Sequence, residues 1–138
     1  MFQSYSTNRS NHFVTQLARI YPLLPSTTRH PSILDIGAAP FVISQALSDI
    51  GYNVSAVDLD PDRFDNLHRL GLNIVKGDGE IPQSLHFDQK FGVVLLSHVI
   101  EHFRLDLIST LEGIKDLLKH NGILIIETPN LLSIKGWN

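Results

Sequence analysis

The sequence predicts an α/β protein built on a doubly wound, mostly parallel sheet of five strands with helices on both faces. Short runs rich in isoleucine, valine and leucine recur along the chain, and segments with apolar residues at helical spacing lie between them. Strands that alternate with helices in this way pair in parallel, and their crossovers place helices on both faces of the sheet. We expect the strand order 3-2-1-4-5.

The five predicted strands differ in character. Four are continuous apolar runs, as expected of buried parallel strands, and the fifth alternates with polar residues, which is typical of an edge. The apolar runs are residues 32–37, 53–58, 91–97 and 122–128, and the alternating run is residues 72–76.

The helices are predicted from apolar stripes that end at glycine or at Asn-Gly. One covers Phe13, Leu17 and Ile20 near the N-terminus, and a second runs from Val42 to Ile50. A third begins at Pro61, with Asp60 as its cap, and continues through residue 70. The longest runs from about residue 102 to 118, with residues 107, 111, 114 and 118 on its buried face.

Composition excludes several classes of protein. A chain of 138 residues, 43% apolar and 18% charged, forms one hydrophobic core. Its formal net charge of −3 makes binding to nucleic acid unfavourable. The longest apolar runs, residues 93–96 and 123–126, are far shorter than the roughly 20 residues that span a bilayer. The polar first residues lack a secretory signal, so we expect a cytoplasmic protein.

Acidic residues follow three strands that are neighbours in the expected sheet. In an open parallel sheet, ligands bind beyond the carboxyl ends of the strands, and Asp35, Asp58 and Asp78 all lie there. Gly37 permits a tight turn, and Asp58, 21 positions later, is placed to accept both hydroxyls of a ribose. We therefore expect the three carboxylates to converge on one nucleoside cleft. So much negative charge favours a cationic nucleoside with an amino-acid tail over a pyrophosphate.

Five motifs in the same order and spacing point to a known family. They read ILDIGAAP at residues 33–40, VD at 57–58, GD at 77–78, FGVVLLSHVIEH at 91–102 and IIETPN at 125–130. Together they resemble a class I S-adenosylmethionine-dependent methyltransferase, and within that class the branch that methylates small molecules and lipids. The resemblance implies a Rossmann-like core, S-adenosylmethionine as cofactor and methyl transfer to a small-molecule acceptor.

The resemblance also implies roles for individual residues. Asp35 and Gly37 would frame the methionine part of the cofactor, with Ala39 in the same turn, and Asp58 would hold the ribose. Asp78 and Gly79 would hold the adenine, and Ser97 would line the mouth near the transferred methyl. The candidate bases for a hydroxyl or amine acceptor are His98, Glu101 and His102.

Three positions depart from the family pattern. Glycine is usual at Ala39 and Phe41, and aspartate at Gly92. The benzyl group of Phe41 would either shield the floor of the cofactor pocket or fill part of it. A second hypothesis is therefore a catalytically degenerate module that keeps the fold for binding or interaction. A nicotinamide dehydrogenase is disfavoured because Gly37 is the single glycine in a turn where that class has three.

The predicted organisation is an N-terminal helical segment, residues 1–30, followed by a cofactor-binding domain, residues 31–138. The family sheet normally continues past the fifth strand, whereas this sequence ends soon after it. We expect an open edge at that strand, and thus either a shortened chain or one partner of a homodimer that covers the edge.

The remaining histidines suggest no further site. Residues 98–102 fit the H-x-x-E-H pattern of a zinc-peptidase family, but they follow a buried strand and no third ligand is evident, so no metal site is predicted. The scattered histidines 12, 30, 68, 86 and 120 are expected to be surface residues.

Overall fold

A computed structural model of the protein describes residues 2–29, 31–64 and 71–129, with side chains from residue 11 onward. The strands are β1 (Ser32–Ile36), β2 (Asn53–Asp58), β3 (Asn73–Lys76), β4 (Phe91–Ser97) and β5 (Leu118–Glu127). The α-helices are α1 (Phe2–Ile20), α2 (Val42–Asp49) and α3 (Leu107–Leu117). The five strands pair in parallel in the order β3-β2-β1-β4-β5, which confirms the predicted fold class.

Helices cover both faces of the sheet. Side chains along a strand alternate between the two faces, so a strand can pack against helices on both sides. Ile33 of β1 belongs to a buried cluster with Ile20 of α1 and Leu47 of α2. The next residue, Leu34, belongs to a cluster on the opposite face with Ile114 of α3. Helices α1 and α2 therefore share one core with the sheet, and α3 closes the other.

The strand register aligns the carboxyl ends of the strands along one edge of the sheet. Ile36 pairs with Val57 of β2 and with Leu96 of β4. At the ends of the outer pairs, Asp58 lies beside residue 76, and residue 97 lies beside Glu127. Residues that follow β1, β2, β3 and β4 thus lie within reach of one another.

Helix α3 begins five residues later than predicted. The side chain of Asp106 caps it by accepting hydrogen bonds from the amides of Ile108 and Ser109. Residues 100–102 form a separate 3-10 turn, and an extended segment separates that turn from the helix. Leu107, predicted on the buried face, is 41% exposed because it is the first residue of the helix.

Strand β5 begins four residues before its predicted start. It follows α3 directly, with Leu118 opposite Phe91, and the register shifts between Phe91 and Val93. Residues 120–122, predicted as the stop of the helix, therefore lie inside the strand. The shift accommodates extra residues on one strand without a separate loop.

The predicted helix from Pro61 is one 3-10 turn that ends at Arg63, and the rest of it, residues 65–70, lies outside the described residues. The predicted cap is wrong. Asp60 makes no side-chain hydrogen bond to this turn, and its own amide donates to Oδ1 of Asp58 at 3.0 Å.

Two expectations about the ends of the chain stay predictions. Helix α1 packs into the same core as the sheet, and the predicted boundary between a helical segment and a domain at residue 30 stays a prediction. Strand β5 lies at the edge of the sheet with β4 as its one neighbour among the described strands. None of the described helices combines the length and the apolar character that crossing a membrane requires.

Phe41 is held in the core at a backbone conformation that favours glycine. It precedes α2 with a φ of 67° and is 1% exposed. Its ring meets that of Phe64 edge to face at 5.7 Å and packs with Ala38 and Ala56. Burial of the ring therefore opposes the strain of the left-handed backbone.

Substitutions at Phe41 can separate these two effects. We expect Phe41→Ala to lower the free energy of unfolding by about 3–5 kcal/mol through loss of the buried ring. Phe41→Gly should cost about 1 kcal/mol less, because glycine also relieves the left-handed strain. Urea denaturation measures both, with exposed Val42→Ala as control. An alanine variant as stable as the glycine variant would contradict the strained backbone.

Candidate active site

A cavity of about 410 Å³ opens at the carboxyl ends of the strands. This volume lies within the range of small-molecule sites. Seven of the ten predicted site residues line it: Gly37, Ala39, Asp58, Asp78, Gly79, His98 and His102. The structure therefore brings together residues that follow four different strands.

A second, much smaller cavity lies beside the first. It measures about 30 Å³ and is lined by Asp35, Ser97 and Gln16 of α1, among others. Gly37 and Ala39 line both cavities, so the two are neighbours across the turn that follows β1.

The expectation that three carboxylates share one cleft is wrong for Asp35. Asp58 and Asp78 line the larger cavity, whereas Asp35 lines only the smaller one. The reason is its position inside β1, where its side chain turns toward α2. There Ser44 donates a hydrogen bond to its Oδ2 at 2.6 Å.

Burial changes the acidity of Asp35. The residue is 3% exposed, and burial raises the pKa of its carboxyl to about 7. The hydrogen bond from Ser44 lowers the pKa in part, and the charge of Asp58 raises it further. Asp35 can therefore gain or lose a proton near neutral pH.

Asp58 organises the turns around the larger cavity. Its Oδ2 accepts a hydrogen bond from the amide of Ala39 at 3.1 Å, and its Oδ1 accepts from the amide of Asp60. Each carboxylate oxygen can accept a second hydrogen bond. Asp58 can thus hold the protein turns and accept hydroxyl donors from a ligand at the same time.

Glu80, which sequence reasoning missed, joins two walls of the larger cavity. Its Oε2 accepts hydrogen bonds from the amides of Arg104 and Leu105, both at 2.8 Å. Its own amide donates to Oδ1 of Asp78 at 2.9 Å. The segment after β3 and the segment after β4 are therefore held together by one carboxylate.

The glycines of the site are required by contacts within the protein. Gly37 has a φ of +71°, and a Cβ at this position would overlap the side chain of Val99. A Cβ at Gly79 would overlap the side chain of Ile36. The sequence predicted only that Gly37 lets a ligand approach, whereas the structure also shows close packing.

A polar network surrounds Glu127, the last residue of β5 and a second residue missed from the sequence. Ser97 donates to its Oε2 at 2.6 Å, and Arg19 of α1 donates to its Oε1 at 3.1 Å. His98 Nε2 lies 3.4 Å from Oε2. Burial alone would raise the pKa of Glu127, but these three partners outweigh it and hold the pKa below its usual range.

The histidines and Glu101 occupy different places. His98 has a φ of 53°, and its ring meets that of His12 on α1 at 5.0 Å. His12 is exposed as predicted, yet this contact places it next to the site. His102 lines the larger cavity, whereas Glu101 accepts a hydrogen bond from Thr128 at 3.3 Å. Within the described ranges, no group of three or more acidic, histidine or cysteine residues could hold a metal ion.

Comparison with known proteins identifies the family. A family model described as a methyltransferase domain matches residues 7–137. The chain belongs to this family. The sequence is also similar to a ubiquinone biosynthesis O-methyltransferase of Actinobacillus pleuropneumoniae serotype 7 (strain AP76), at 28% identity over 107 residues. That match covers 71% of this chain and 45% of the relative.

Solved structures share the fold. The glycopeptide N-methyltransferase MtfA with bound S-adenosyl-L-homocysteine matches with a TM-score of 0.60 at 18% identity, covering 81% of this chain and 47% of that one. DesVI of Streptomyces venezuelae matches with a TM-score of 0.72 at 14% identity, covering 92% and 55%. The chain thus spans about half the length of these relatives. The predicted methyltransferase family and the predicted fold class are confirmed.

The raised pKa of Asp35 predicts how stability depends on pH. The folded chain binds this proton more tightly than the unfolded chain, so the stabilisation is complete below pH 4 and is lost as pH rises through about 7. A pKa difference of roughly three corresponds to at most ~4 kcal/mol. We expect Asp35→Asn to gain stability relative to wild type between pH 5 and pH 8 in urea denaturation.

Exposed Asp88→Asn serves as the control for the Asp35 experiment, since its stability should follow wild type at every pH. Parallel stability curves for wild type and Asp35→Asn would show that Asp35 does not titrate in this range.

Removal of the Glu80 carboxylate should loosen the wall formed by residues 104 and 105. Glu80→Ala should speed amide hydrogen exchange at Arg104 and Leu105 by about 10-fold, because each amide loses a charged acceptor. Glu80→Gln keeps one acceptor oxygen and should have a smaller effect. The control is Glu112→Ala on the exposed side of α3. Unchanged exchange at both amides in Glu80→Ala would refute the link.

Proposed function

We propose that this chain transfers the methyl group of S-adenosylmethionine to a small-molecule acceptor. The observation that carries the proposal is the composition of the larger cavity. Its wall joins two acidic strand ends, Asp58 and Asp78, with two histidines, His98 and His102. Ligand-binding carboxylates and candidate bases therefore share one space of suitable size.

The proposed cofactor contacts follow the two cavities. Asp58 accepts the ribose hydroxyls, and Asp78 with Gly79 holds the adenine in the larger cavity. Gly37 and Ala39, which line both cavities, lie between the ribose and the amino-acid end. Asp35 then lies at the amino-acid end, in the smaller cavity.

The chemistry asks this chain mainly to align two reactants and to accept a proton. S-adenosylmethionine supplies a methyl group on a positively charged sulfur, open to in-line displacement. The cavity walls hold the acceptor atom close to that methyl and in line with it. His98 accepts the proton that an oxygen or nitrogen acceptor loses, and the nearby carboxylate of Glu127 stabilises the resulting imidazolium. Ser97 fixes that carboxylate by its hydrogen bond.

His102 and Glu101 are assigned to the acceptor side of the site. His102 lines the larger cavity and is the second candidate base. Glu101 lines neither cavity and contacts Thr128 just beyond β5, so it is the weaker candidate. The relatives are named for methyl transfer to oxygen in one case and to nitrogen in another, and a histidine base suits either acceptor.

The position of Phe41 bears on the alternative of a degenerate binding module. A pocket filled by the benzyl group was one reason for that alternative. Phe41 instead packs against Phe64 and Ala56, and it lines neither of the two cavities. The cofactor space is therefore open, which favours the enzyme.

The proposal also covers the cell compartment, nucleic-acid binding and the oligomeric state. We infer that it acts in the cytoplasm, without nucleic acid, and as a homodimer through the open edge of β5. Ile126 on that strand is 43% exposed and would be covered by such pairing. Light scattering that gives the mass of a monomer at high concentration would refute the dimer.

Calorimetry with S-adenosylhomocysteine tests the cofactor site. Wild type should bind, and Asp58→Asn should bind about 10-fold or more weakly, because the ribose loses a charged acceptor. Asparagine keeps one acceptor oxygen but loses one of the two hydrogen bonds to the turns, so urea denaturation of the same variant must show that it is folded. Asp88→Asn is the matched control, since Asp88 is exposed and lies outside both cavities. Equal binding by all three proteins would contradict the role of Asp58.

Transfer of a labelled methyl group tests catalysis. Incubation with a small-molecule extract and deuterated S-adenosylmethionine should give a labelled product in mass spectrometry, and His98→Asn should reduce its rate. Tight binding of S-adenosylhomocysteine with no labelled product would favour the binding module.

A further inference from the structure

The side-chain carbonyl oxygen of Gln16 on α1 is buried and has no hydrogen-bond donor among the described residues. The residue is 6% exposed, and its Nε2 donates to Oγ of Ser97. Its Oε1 is shielded from solvent and has no hydrogen-bond partner among the described residues. A buried amide oxygen without a partner costs roughly 1–3 kcal/mol, so native proteins seldom leave one unused.

The network at β5 fixes which atom of the Gln16 amide is left over. The carboxylate of Glu127 can only accept, and the hydroxyl of Ser97 gives its single proton to Glu127. Ser97 can therefore only accept from Gln16, which must present its NH₂ group. The carbonyl oxygen of Gln16 is thereby kept for another donor.

Gln16 lines the smaller cavity, which adjoins the proposed cofactor site. Its neighbours there include Asp35 and Ser97, and the cavity shares Gly37 and Ala39 with the larger one. At about 30 Å³ the space suits one small polar group. The space therefore lies directly beside the larger cavity.

We propose that Oε1 of Gln16 accepts a hydrogen bond from the amino group of the cofactor, so that helix α1 forms a wall of the cofactor site. The inference rests on the proposed function. It assigns the smaller cavity to an ammonium, because the side chains of Gln16 and Asp35 both offer acceptor oxygens there.

Gln45 on α2 has the same buried carbonyl oxygen as Gln16 but does not line a cavity. Its Oε1 is also buried without a partner among the described residues, while its Nε2 donates to Asp49. Gln45 lines neither cavity. It therefore provides a matched control, with the same side chain and the same unsatisfied atom but no proposed ligand.

The test compares two ligands that differ in the amino-acid end. S-adenosylhomocysteine carries the amino group, whereas 5′-methylthioadenosine lacks the whole amino-acid portion. In calorimetry, Gln16→Leu should bind S-adenosylhomocysteine about 10-fold or more weakly than wild type. Its affinity for 5′-methylthioadenosine should change less than twofold. Gln45→Leu should bind both ligands as wild type does.

The two ligands also separate the possible failures. Equal losses for both ligands, or no loss for S-adenosylhomocysteine, would overturn the role of Gln16. Retained binding of 5′-methylthioadenosine shows that the variant is folded. Absence of binding of either ligand to wild type would overturn the proposed function, and with it this inference. Ser97→Ala, which frees the Gln16 amide to turn, should weaken S-adenosylhomocysteine selectively and to a smaller extent.

Discussion

Parallel pairing of β1 with both β2 and β4 is the constraint on which the site depends. The register places Ile36 beside Val57 and Leu96, so three strands end at one level and the chain leaves them in the same direction. Without this alignment the residues after the strands would be scattered along the sheet. With it, the segments that follow four strands meet around one cavity. The apolar strands thus position the polar site, since their buried side chains fix the register.

The carboxylates at this edge perform different physical tasks. Asp35 is buried and shares a hydrogen bond with Ser44, and its pKa is raised to about 7. Asp58 is half-buried and holds two backbone turns. Glu127 is surrounded by donors that keep its pKa low. Burial and hydrogen-bond partners therefore give the same functional group three tasks: Asp35 titrates near neutral pH, Asp58 accepts structural hydrogen bonds, and Glu127 stays charged.

The sequence predicted what local patterns determine. The strands and their parallel pairing followed from apolar runs and their alternation with helices, and Asp58 and Asp78 followed from their positions after strands. The candidate bases His98 and His102 followed from the resemblance to the family. The errors have physical causes that lie in tertiary contacts. The start of α3 depends on the cap of Asp106 and on the distant carboxylate of Glu80, and the start of β5 depends on pairing with Phe91. Gln16 and Arg19 reach the site from a helix far away in the chain, and the Glu127 side chain shows its role only through contacts with Ser97 and His98.

The double hydrogen bond that Glu80 accepts has a mechanical consequence. The two loops can separate only if the Glu80 carboxylate loses both hydrogen bonds at once. They therefore form one rigid wall of the cavity. Helix α1 is held at the same edge of the sheet by its apolar residues in the core and by the contacts of Gln16 with Ser97 and of Arg19 with Glu127.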